Sequence, residues 1–366
     1  MNILGIETSC DETAAAVVKD GVEVVSNVVY TQIPLHRPYG GVVPEIASRA
    51  HIEKIPEVVG AAIKQFAARR PGERVDAVAV TYGPGLSPAL IVGLNAAKGL
   101  ALSLGVPLIG VNHIEAHLHT PFLYEESVEG APQVPGLSPM GAVPALGLAV
   151  SGGHTNWIDL GSYGNYETIG QTLDDAAGEA FDKASKLLGL GYPGGPKLDK
   201  ISREYLATHG KTNLVPFPKG RPREGVTALA GLPAELCVSF SGLKTALLHY
   251  VQTAGGAAKL SETGEIPRVV ASYQEAIVQA IADRTRTALK RKRYKSFIVG
   301  GGVSLNSRLR TVLADVAAQA GVPLLLAKPK FCGDNGAMIA GLAYFRRKYT
   351  GEAALALDVA PSLEVG

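Results

Sequence analysis

Two stretches of this chain resemble each other, and their likeness constrains the fold more than any other feature. The segment LGIETSCDETAA, which begins at Leu4, aligns at one constant offset with LGLAVSGGHTNW, which begins at Leu146. Identical residues fall in register at four pairs of positions: Leu4 and Leu146, Gly5 and Gly147, Ser9 and Ser151, Thr13 and Thr155. Each copy reads as a strand, a polar or glycine-rich turn and a second strand. A strand pair that occurs twice indicates a duplicated unit.

A second pair of similar segments follows in the same order. AVAVTYGPGLSPALIVGLNAAKGLALSLGVPLIGV begins at Ala77 and resembles SFIVGGGVSLNSRLRTVLADVAAQAGVPLLLAK, which begins at Ser296. Both predict a strand, a glycine loop, a helix, the tripeptide Gly-Val-Pro and another strand. Two matches in one order predict a duplicated α/β lobe. Such lobes are the layout of the actin-like (ASKHA) two-lobed fold, which by analogy places nucleotide and metal in the cleft between its lobes.

The repeats divide the chain into three predicted parts. Residues 1–120 form an N-terminal actin-like lobe, and the C-terminal helix and tail at 335–366 are candidates to complete it. Residues 121–144 carry five prolines without periodicity, which indicates an exposed connection. Residues 145–334 form the C-terminal actin-like lobe.

Composition restricts the class of protein. The formal net charge is only +2, so any contact with nucleic acid must come from local basic patches. The three cysteines, Cys10, Cys237 and Cys332, lie far apart and form neither a disulfide framework nor a metal-binding pair, which fits a reducing compartment. The first residues do not read as a signal peptide, and no apolar run approaches the length of a membrane span. We therefore expect a cytoplasmic protein.

The stretch VNHIEAHLHT, from Val111 to Thr120, concentrates three of the eight histidines of the chain. On a helix, His113 and His117 share one face and can hold one ion. The zinc-protease signature H-E-x-x-H places its glutamate directly after the first histidine. Here Glu115 lies two residues on, about 200° around a helix from His113. The pattern leaves open a metal site and a polar helix face with incidental histidines.

A third metal ligand is available at the end of another predicted strand. Asp334 follows VPLLLAKPK, and two imidazoles with one carboxylate suit iron(II) or zinc while leaving positions open for substrate. Asp334 could equally be the N-cap of the helix that follows.

Three glycine-rich loops predict nucleotide binding. SGGHT at 151–155, GYPGGP at 191–196 and GGGVSLN at 300–306 let backbone amides approach a phosphate or a nucleoside. No P-loop or dinucleotide fingerprint is present in the sequence. Asp182 could face a ribose, although it could also form a surface charge pair with Lys183.

The acidic pair near the N-terminus and the three basic clusters each allow a functional and a purely structural interpretation. Asp11 and Glu12 lie in the first turn, where an actin-like fold places phosphate or metal chemistry, but the pattern alone slightly favours a polar hairpin turn. Basic clusters at 219–223, 290–295 and 346–348 could follow a phosphate backbone or be solvated surface.

The order and density of motifs resemble one known family, the bacterial TsaD family. The resemblance covers essentially the whole chain and rests on IETSCDETAAA, YGGVVPEIASRAHIEKI, GPGLSPALIVGLNAAKGLA, HIEAHL, VSGGHT, DDAAGEAFDKASKLLGLGYPGGP, FSGLKTAL, GGVSLNSRLR and CGDNGAM. It implies a transferase that moves a threonylcarbamoyl group from threonylcarbamoyl-AMP to the N6 amine of the adenosine 3′ to the anticodon (position 37) in tRNAs reading ANN codons.

The resemblance also implies roles for particular residues. His113, His117 and Asp334 would bind one divalent metal ion, with Fe²⁺ favoured and Zn²⁺ as the other candidate. The adenylate would be held by Val150, Ser151, Gly152, Gly153, His154, Asp182, Gly195 and Asn306. Asp11 and Glu12 match the family's acidic pair and are assigned to catalysis.

The implied partners are tRNA, a paralogous TsaB-like subunit and a TsaE-like ATPase. Two alternatives remain open from the residues alone: a metal-dependent glycoprotein endopeptidase, and a non-catalytic nucleotide-binding scaffold with the actin-like fold.

Overall fold

The computed structural model describes residues 1–125, 138–222, 231–346 and 355–366. Half of the predicted connection at 121–144, together with part of the basic clusters at 219–223 and 346–348, lies outside these residues. The strands are β1 (Asn2–Glu7), β2 (Glu12–Lys19), β3 (Glu23–Thr31), β4 (Ala77–Gly83), β5 (Leu108–Asn112), β6 (Ala145–Val150), β7 (Thr155–Ser162), β8 (Asn165–Gln171), β9 (Ser296–Gly300) and β10 (Leu324–Leu326).

Helices occupy most of the remaining described chain. They are α1 (Ile33–His36), α2 (Pro44–Arg69), α3 (Ser87–Leu104), α4 (His113–His119), α5 (Ala177–Leu187), α6 (Gly195–His209), α7 (Ser241–Thr253), α8 (Ala257–Glu262), α9 (Ile266–Leu289), α10 (Ser307–Ala320), α11 (Pro329–Cys332) and α12 (Gly336–Phe345). The Gly-, Ala- and Ser-rich polar composition of residues 253–266 predicts a surface loop, and this prediction is wrong for the part that forms α8.

The two sheets have the same topology, which explains the sequence repeats. One sheet has the strand order β3-β2-β1-β4-β5, and the other has the order β8-β7-β6-β9-β10. β1 pairs in parallel with β4, and β6 pairs in parallel with β9. Every residue of β1 and of β6 is buried, as expected for central strands that helices cover on both faces. The predicted duplicated α/β architecture is therefore confirmed.

Contacts divide the described chain into two compact units. Unit 1 contains residues 1–143, 160–166 and 325–366, and unit 2 contains residues 144–159 and 167–324. The sequence grouped residues 325–334 with the C-terminal lobe, whereas here they pack within unit 1 together with α12. Asp334 consequently belongs to the same unit as His113 and His117.

Helix α3 requires a second correction. It is 18 residues long with a mean hydropathy of 1.3, which is long and apolar enough to cross a membrane by length and composition alone. A third of this helix is buried inside the fold, on a face made of Ala89, Leu90, Gly93, Leu94, Ala97 and Ala101. One such helix is weak evidence for a span, because core helices pass the same test. Leu102 on its other side is 65% exposed.

Candidate active site

The histidine stretch forms a short, buried helix at the end of an edge strand. Strand β5 ends at Asn112, whose side-chain oxygen accepts hydrogen bonds from the backbone N–H groups of Ile114 and Glu115. Asn112 is therefore the N-cap of α4 and starts the helix directly at His113. All seven residues of α4 are buried. The helix places the imidazoles of His113 and His117 with their ring centroids 4.6 Å apart.

The third predicted ligand reaches these histidines because α12 packs closely on the first sheet. A Cβ atom on Gly5 would lie 2.3 Å from the Gly336 carbonyl oxygen, and one on Gly336 would lie 2.5 Å from the Ala16 nitrogen. Only glycine allows this approach of helix to strand. Asn335 caps α12 by accepting from the Met338 N–H. The N-cap is therefore Asn335, and Asp334 precedes it.

The Asp334 carboxylate lies beside both imidazoles. Its Oδ1 is 3.2 Å from His117 Nε2 and 3.7 Å from His113 Nε2. One ligand atom from each of the three residues lies within 4.8 Å of the others. Both nitrogens of His117 are buried and make no hydrogen bond within the part of the chain that the structure describes. Two imidazole nitrogens and a carboxylate oxygen that converge in this way form a donor set that fits a metal ion.

A carboxylate behind His113 sets its orientation. His113 Nδ1 lies 3.1 Å from Glu7 Oε2 and 3.1 Å from Ser9 Oγ. Burial alone would lower the pKa of His113, but the carboxylates of Glu7 and Asp334 outweigh burial and raise this pKa to about 9. A carboxylate on the second nitrogen of a histidine is the usual support for a metal-ligating imidazole, because it holds the ring and makes the ligand more basic.

Glu115 lies on the other side of α4, where its carboxylate is bound by other groups of the protein. Its carboxylate forms a buried ion pair with Arg346 and accepts a hydrogen bond from the Gly366 N–H at 3.0 Å. A protease of the H-E-x-x-H kind needs its glutamate beside the metal-bound water. The position of Glu115 disfavours the endopeptidase alternative.

His119 has a structural role. Its Nε2 donates to the Gly21 carbonyl at 2.7 Å, so its Nδ1 accepts from the Tyr163 hydroxyl at 2.6 Å. Burial lowers the pKa of His119 to about 4. The imidazole is therefore neutral at pH 7, and both of its nitrogens are used within unit 1.

We expect His119 to make the protein less stable in mild acid. Its folded pKa of about 4 lies below the unfolded value near 6.5, so the unfolded chain takes up a proton first as the pH falls. The neutral His119 ring makes its full contribution to the free energy of unfolding above pH 6.5, and this contribution is lost as the pH falls toward 4. Between pH 7 and pH 5 the loss from this residue is about 2 kcal/mol.

Urea unfolding at both pH values measures this effect. The variant His119→Gln removes the titration and should show a flatter dependence of unfolding free energy on pH than the parent protein, although it is less stable at pH 7. Equal pH dependence in the two proteins would rule out His119 as the source.

The predicted acidic pair lies in the turn between β1 and β2. Glu12 is half-buried and accepts a hydrogen bond from the Thr31 hydroxyl. Burial, together with the nearby carboxylates of Asp11 and Asp334, raises the pKa of Glu12 well above its usual range. Burial and Asp11 also raise the pKa of the Cys10 thiol, which therefore stays protonated at neutral pH. A protonated thiol is a poor nucleophile, which disfavours a catalytic role for Cys10.

Unit 2 contains a separate pocket of about 360 Å³. That volume suits a nucleoside-sized ligand. Its walls are formed by Gly152, Gly178, Phe181, Asp182, Pro193, Gly195, Pro196, Asp199, Gly302, Val303, Leu305 and Asn306. The three glycine-rich loops of the sequence therefore meet at one cavity.

Four of the eight predicted adenylate-binding residues line this pocket, namely Gly152, Asp182, Gly195 and Asn306. The other four are Val150, Ser151, Gly153 and His154, which belong to β6 and to the adjoining turn. That turn is held by hydrogen bonds between Ser151 and His154. Asp182 Oδ1 accepts from the Gly194 N–H at 2.6 Å, which fixes the loop in front of Gly195.

Two further polar residues, Asp199 and Gln274, belong to the surroundings of this pocket, and no sequence motif singled them out. Asp199 lies one helical turn after Gly195 on α6, and that spacing could have revealed it. Its carboxylate accepts from the Ser307 hydroxyl at 2.9 Å and from the Ser307 N–H.

Gln274 is fully buried and accepts from Asn306 Nδ2 at 2.8 Å. Since Asn306 Oδ1 also caps α10 at the Leu309 N–H, Asn306 supports the pocket wall as well as lining it.

Comparison with known proteins identifies relatives along almost the whole chain. The family model described as "TsaD: tRNA N6-adenosine threonylcarbamoyltransferase" matches residues 23–341. A protein of that name from Anaeromyxobacter sp. (strain Fw109-5) is 47% identical over 341 residues, covering 93% of this chain and 92% of the relative. Another from Clostridium perfringens is 43% identical over 364 residues, covering 100% of this chain and 98% of the relative.

Solved structures with the same fold have unrelated sequences. HypF from T. kodakarensis superposes with a TM-score of 0.56 at 16% identity, covering 94% of this chain and 47% of that chain. The component A of (R)-2-hydroxyglutaryl-CoA dehydratase from Acidaminococcus fermentans gives 0.50 at 13% identity, covering 97% and 99%. These likenesses show the actin-like fold alone. From the family model and the full-length relatives, the chain belongs to the TsaD family of tRNA N6-adenosine threonylcarbamoyltransferases, and it is a tRNA-modifying transferase.

Proposed function

We propose that the chain takes its threonylcarbamoyl group from threonylcarbamoyl-AMP and delivers it to the N6 amine of adenosine 37 in tRNAs reading ANN codons. The observation that supports an adenylate donor is the pocket of about 360 Å³ in unit 2, where apolar walls surround a few polar groups. Phe181, Val303 and Leu305 suit a purine face, and Asp182 and Asn306 suit its ribose and ring nitrogens. Within the turn at 151–154, Gly152 and Gly153 have backbone N–H groups that suit the phosphate.

We also propose that His113, His117 and Asp334 hold one divalent cation. Two imidazoles and a carboxylate suit iron(II) and zinc, and the family resemblance favours iron. When bound, such an ion supplies Lewis acidity for a carbonyl or phosphate oxygen. Glu7 and Ser9 orient His113, and burial of α4 keeps bulk water away from the ligands.

The proposed reaction needs no covalent enzyme intermediate. The N6 nitrogen attacks the carbamoyl carbon, the bond from that carbon to the phosphate oxygen breaks, and AMP leaves with the electron pair. The attacking amine loses one proton. We assign Glu12 to accept this proton, because the resemblance assigns the acidic pair to catalysis, and because burial and Asp11 raise the pKa of Glu12 and so make it a stronger base than an ordinary carboxylate. Asp11 is its partner in the acidic pair and favours the protonated product.

The proposed partners are a TsaB-like subunit and a TsaE-like ATPase, and the proposed location is the cytoplasm. Ile52 on α2 and Ile91, Leu102 and Leu104 on α3 are exposed apolar side chains that a paralogous subunit could cover. Unit 2 offers an RNA-binding cluster, since all cations of the segment from Lys290 to Lys295 are exposed.

Single-turnover modification tests the proposal. Purified protein is stripped with a chelator, reloaded with Fe²⁺ or Zn²⁺, and mixed with synthetic threonylcarbamoyl-AMP and unmodified tRNA. We expect modified adenosine and AMP in equal amounts without ATP, little product from the stripped protein, and recovery on reloading. A parallel reaction with the TsaB-like subunit should be faster, and Leu102→Asp should cancel that gain.

Two results would contradict the proposed function. Product that forms equally well after complete metal removal would exclude a functional cation at His113, His117 and Asp334. Failure to use threonylcarbamoyl-AMP, with and without the partner subunit, would exclude the adenylate as donor.

A further inference from the structure

The segment between β3 and α2 presents an exposed aromatic tip. It consists of α1 followed by a short 3₁₀ helix from Arg37 to Tyr39, and Gly40 closes it with a positive φ of 70°. Tyr39 is 59% exposed, and Arg37 and Pro38 are exposed beside it. A large aromatic side chain that stays in water contributes little to the stability of the fold. Such a side chain on a loop tip is therefore a candidate contact for a partner molecule.

A buried histidine ties the two ends of this segment together. His36 has no exposed surface. Its Nδ1 accepts from the Val43 N–H at 3.3 Å, so its Nε2 carries the hydrogen and donates to Gln32 Oε1 at 3.2 Å. One imidazole therefore bridges Gln32, at the start of the segment, and Val43, at its end. The two ends of the segment are therefore tied together beneath the tip.

A second buried histidine anchors the segment to the acidic turn. His51 Nε2 donates to the Cys10 carbonyl at 3.0 Å, and its Nδ1 accepts from the Thr13 hydroxyl at 2.8 Å. The Gln32 side-chain amide donates to the same Nδ1, and the Gln32 N–H donates to the Asp11 carbonyl at 2.9 Å. The base of the segment is therefore fixed beside Asp11 and Glu12, where the proposed chemistry needs the target adenosine.

We propose that the tip from Arg37 to Tyr39 is a contact for the anticodon loop of tRNA, with the Tyr39 ring stacked on an unpaired base and Arg37 on a backbone phosphate. Unpaired bases of RNA loops are recognised mainly by stacking on aromatic side chains. A segment whose ends are already tied by hydrogen bonds loses less entropy on binding than a free loop does. Residues 32–43 include one arginine and no acidic residue, which suits a polyanion. The inference rests on the proposed placement of the target adenosine near the acidic turn.

The position of the tip from Arg37 to Tyr39 favours RNA over a protein as the bound partner. The segment carries an arginine and no carboxylate, and its base contacts the acidic turn, so an RNA loop bound to it suits both its charge and the proposed position of the target adenosine. The loop of a stem-loop RNA is narrow, and its neighbouring bases can stack on a side chain that stands next to the reacting one.

Tyrosine variants test the contact. Tyr39→Ala should raise the KM for tRNA and the Kd for a 17-nucleotide anticodon stem-loop by about tenfold, with kcat and the KM for threonylcarbamoyl-AMP unchanged. Tyr39→Phe keeps the ring and should remain within about twofold of the parent protein. Arg37→Ala should weaken RNA binding and reduce the slope of log Kd against log salt concentration by about one. Met140→Ala removes a comparably exposed side chain, 57% exposed, and serves as the control.

Three results would overturn the inference. The first is a KM for tRNA in Tyr39→Ala that equals the parent value. The second is an equal loss in Tyr39→Phe, because that variant retains the stacking ring. The third is impaired binding of the TsaB-like subunit with unchanged affinity for RNA, which would make the tip a protein contact. These outcomes are distinguishable from failure of the proposed function, since in that case the parent protein itself does not modify tRNA with the adenylate.

Discussion

The variant His117→Ala is expected to lose its bound metal and its transferase activity together. His117 supplies one of three ligand atoms, and both of its ring nitrogens are buried without a hydrogen bond among the described residues. Removing it leaves His113 and Asp334, too few to retain the ion against a chelator. Loss of several kcal/mol of charge stabilisation corresponds to a decrease in kcat on the order of 1000-fold. Elemental analysis and the tRNA modification assay measure the two quantities separately.

Two companion variants make this result specific. His209→Ala removes an exposed histidine of α6 and should retain full metal content and activity. Asp334→Asn keeps the shape of the third ligand but not its charge, and it should also release the ion. Nucleotide binding should be unchanged in His117→Ala, because the pocket lies in unit 2. Full metal occupancy in both His117→Ala and Asp334→Asn would remove the proposed site.

The variant Gly152→Leu is expected to abolish binding of the adenylate while leaving the protein folded. Gly152 lines the pocket, and a Cβ atom there would meet no atom within 4 Å. The new side chain therefore enters open space that the ligand needs. A leucine occupies a large part of a cavity of about 360 Å³ and displaces the ligand. We expect the Kd for AMP to rise by at least about 100-fold, which corresponds to a clash of about 3 kcal/mol.

Calorimetry with AMP measures the loss, and a matched glycine provides the control. Gly242 on α7 is exposed and also has nothing within 4 Å of a new Cβ atom, but it lies away from the pocket, so Gly242→Leu should bind AMP normally. Gly152→Leu should keep the metal content and melting temperature of the parent protein. Normal AMP affinity in Gly152→Leu would show that the nucleotide binds elsewhere.

Local patterns in the sequence predicted the secondary structure and much of its arrangement. The two repeats predicted two α/β units with the same order of parts along the chain, because each strand, turn and helix is encoded by residues adjacent in the chain. The four-residue spacing of His113 and His117 predicted a shared helix face for the same reason. The motif resemblance predicted the family, and the relatives confirm that prediction. The glycine loops pointed to a nucleotide pocket without showing which residues would line it.

Only the tertiary structure determined which distant residues meet. Asp334 lies beside the histidines because α12 packs on β1 through the contact of Gly5 with Gly336, more than 300 positions apart in the sequence. The same packing places Arg346 against Glu115, and it assigns His119 to Gly21 and Tyr163 rather than to the metal. Periodicity records which side of an element is buried, but not which partner covers it. That choice depends on steric fit and on pairing of buried polar groups, and both exist only after the elements have packed.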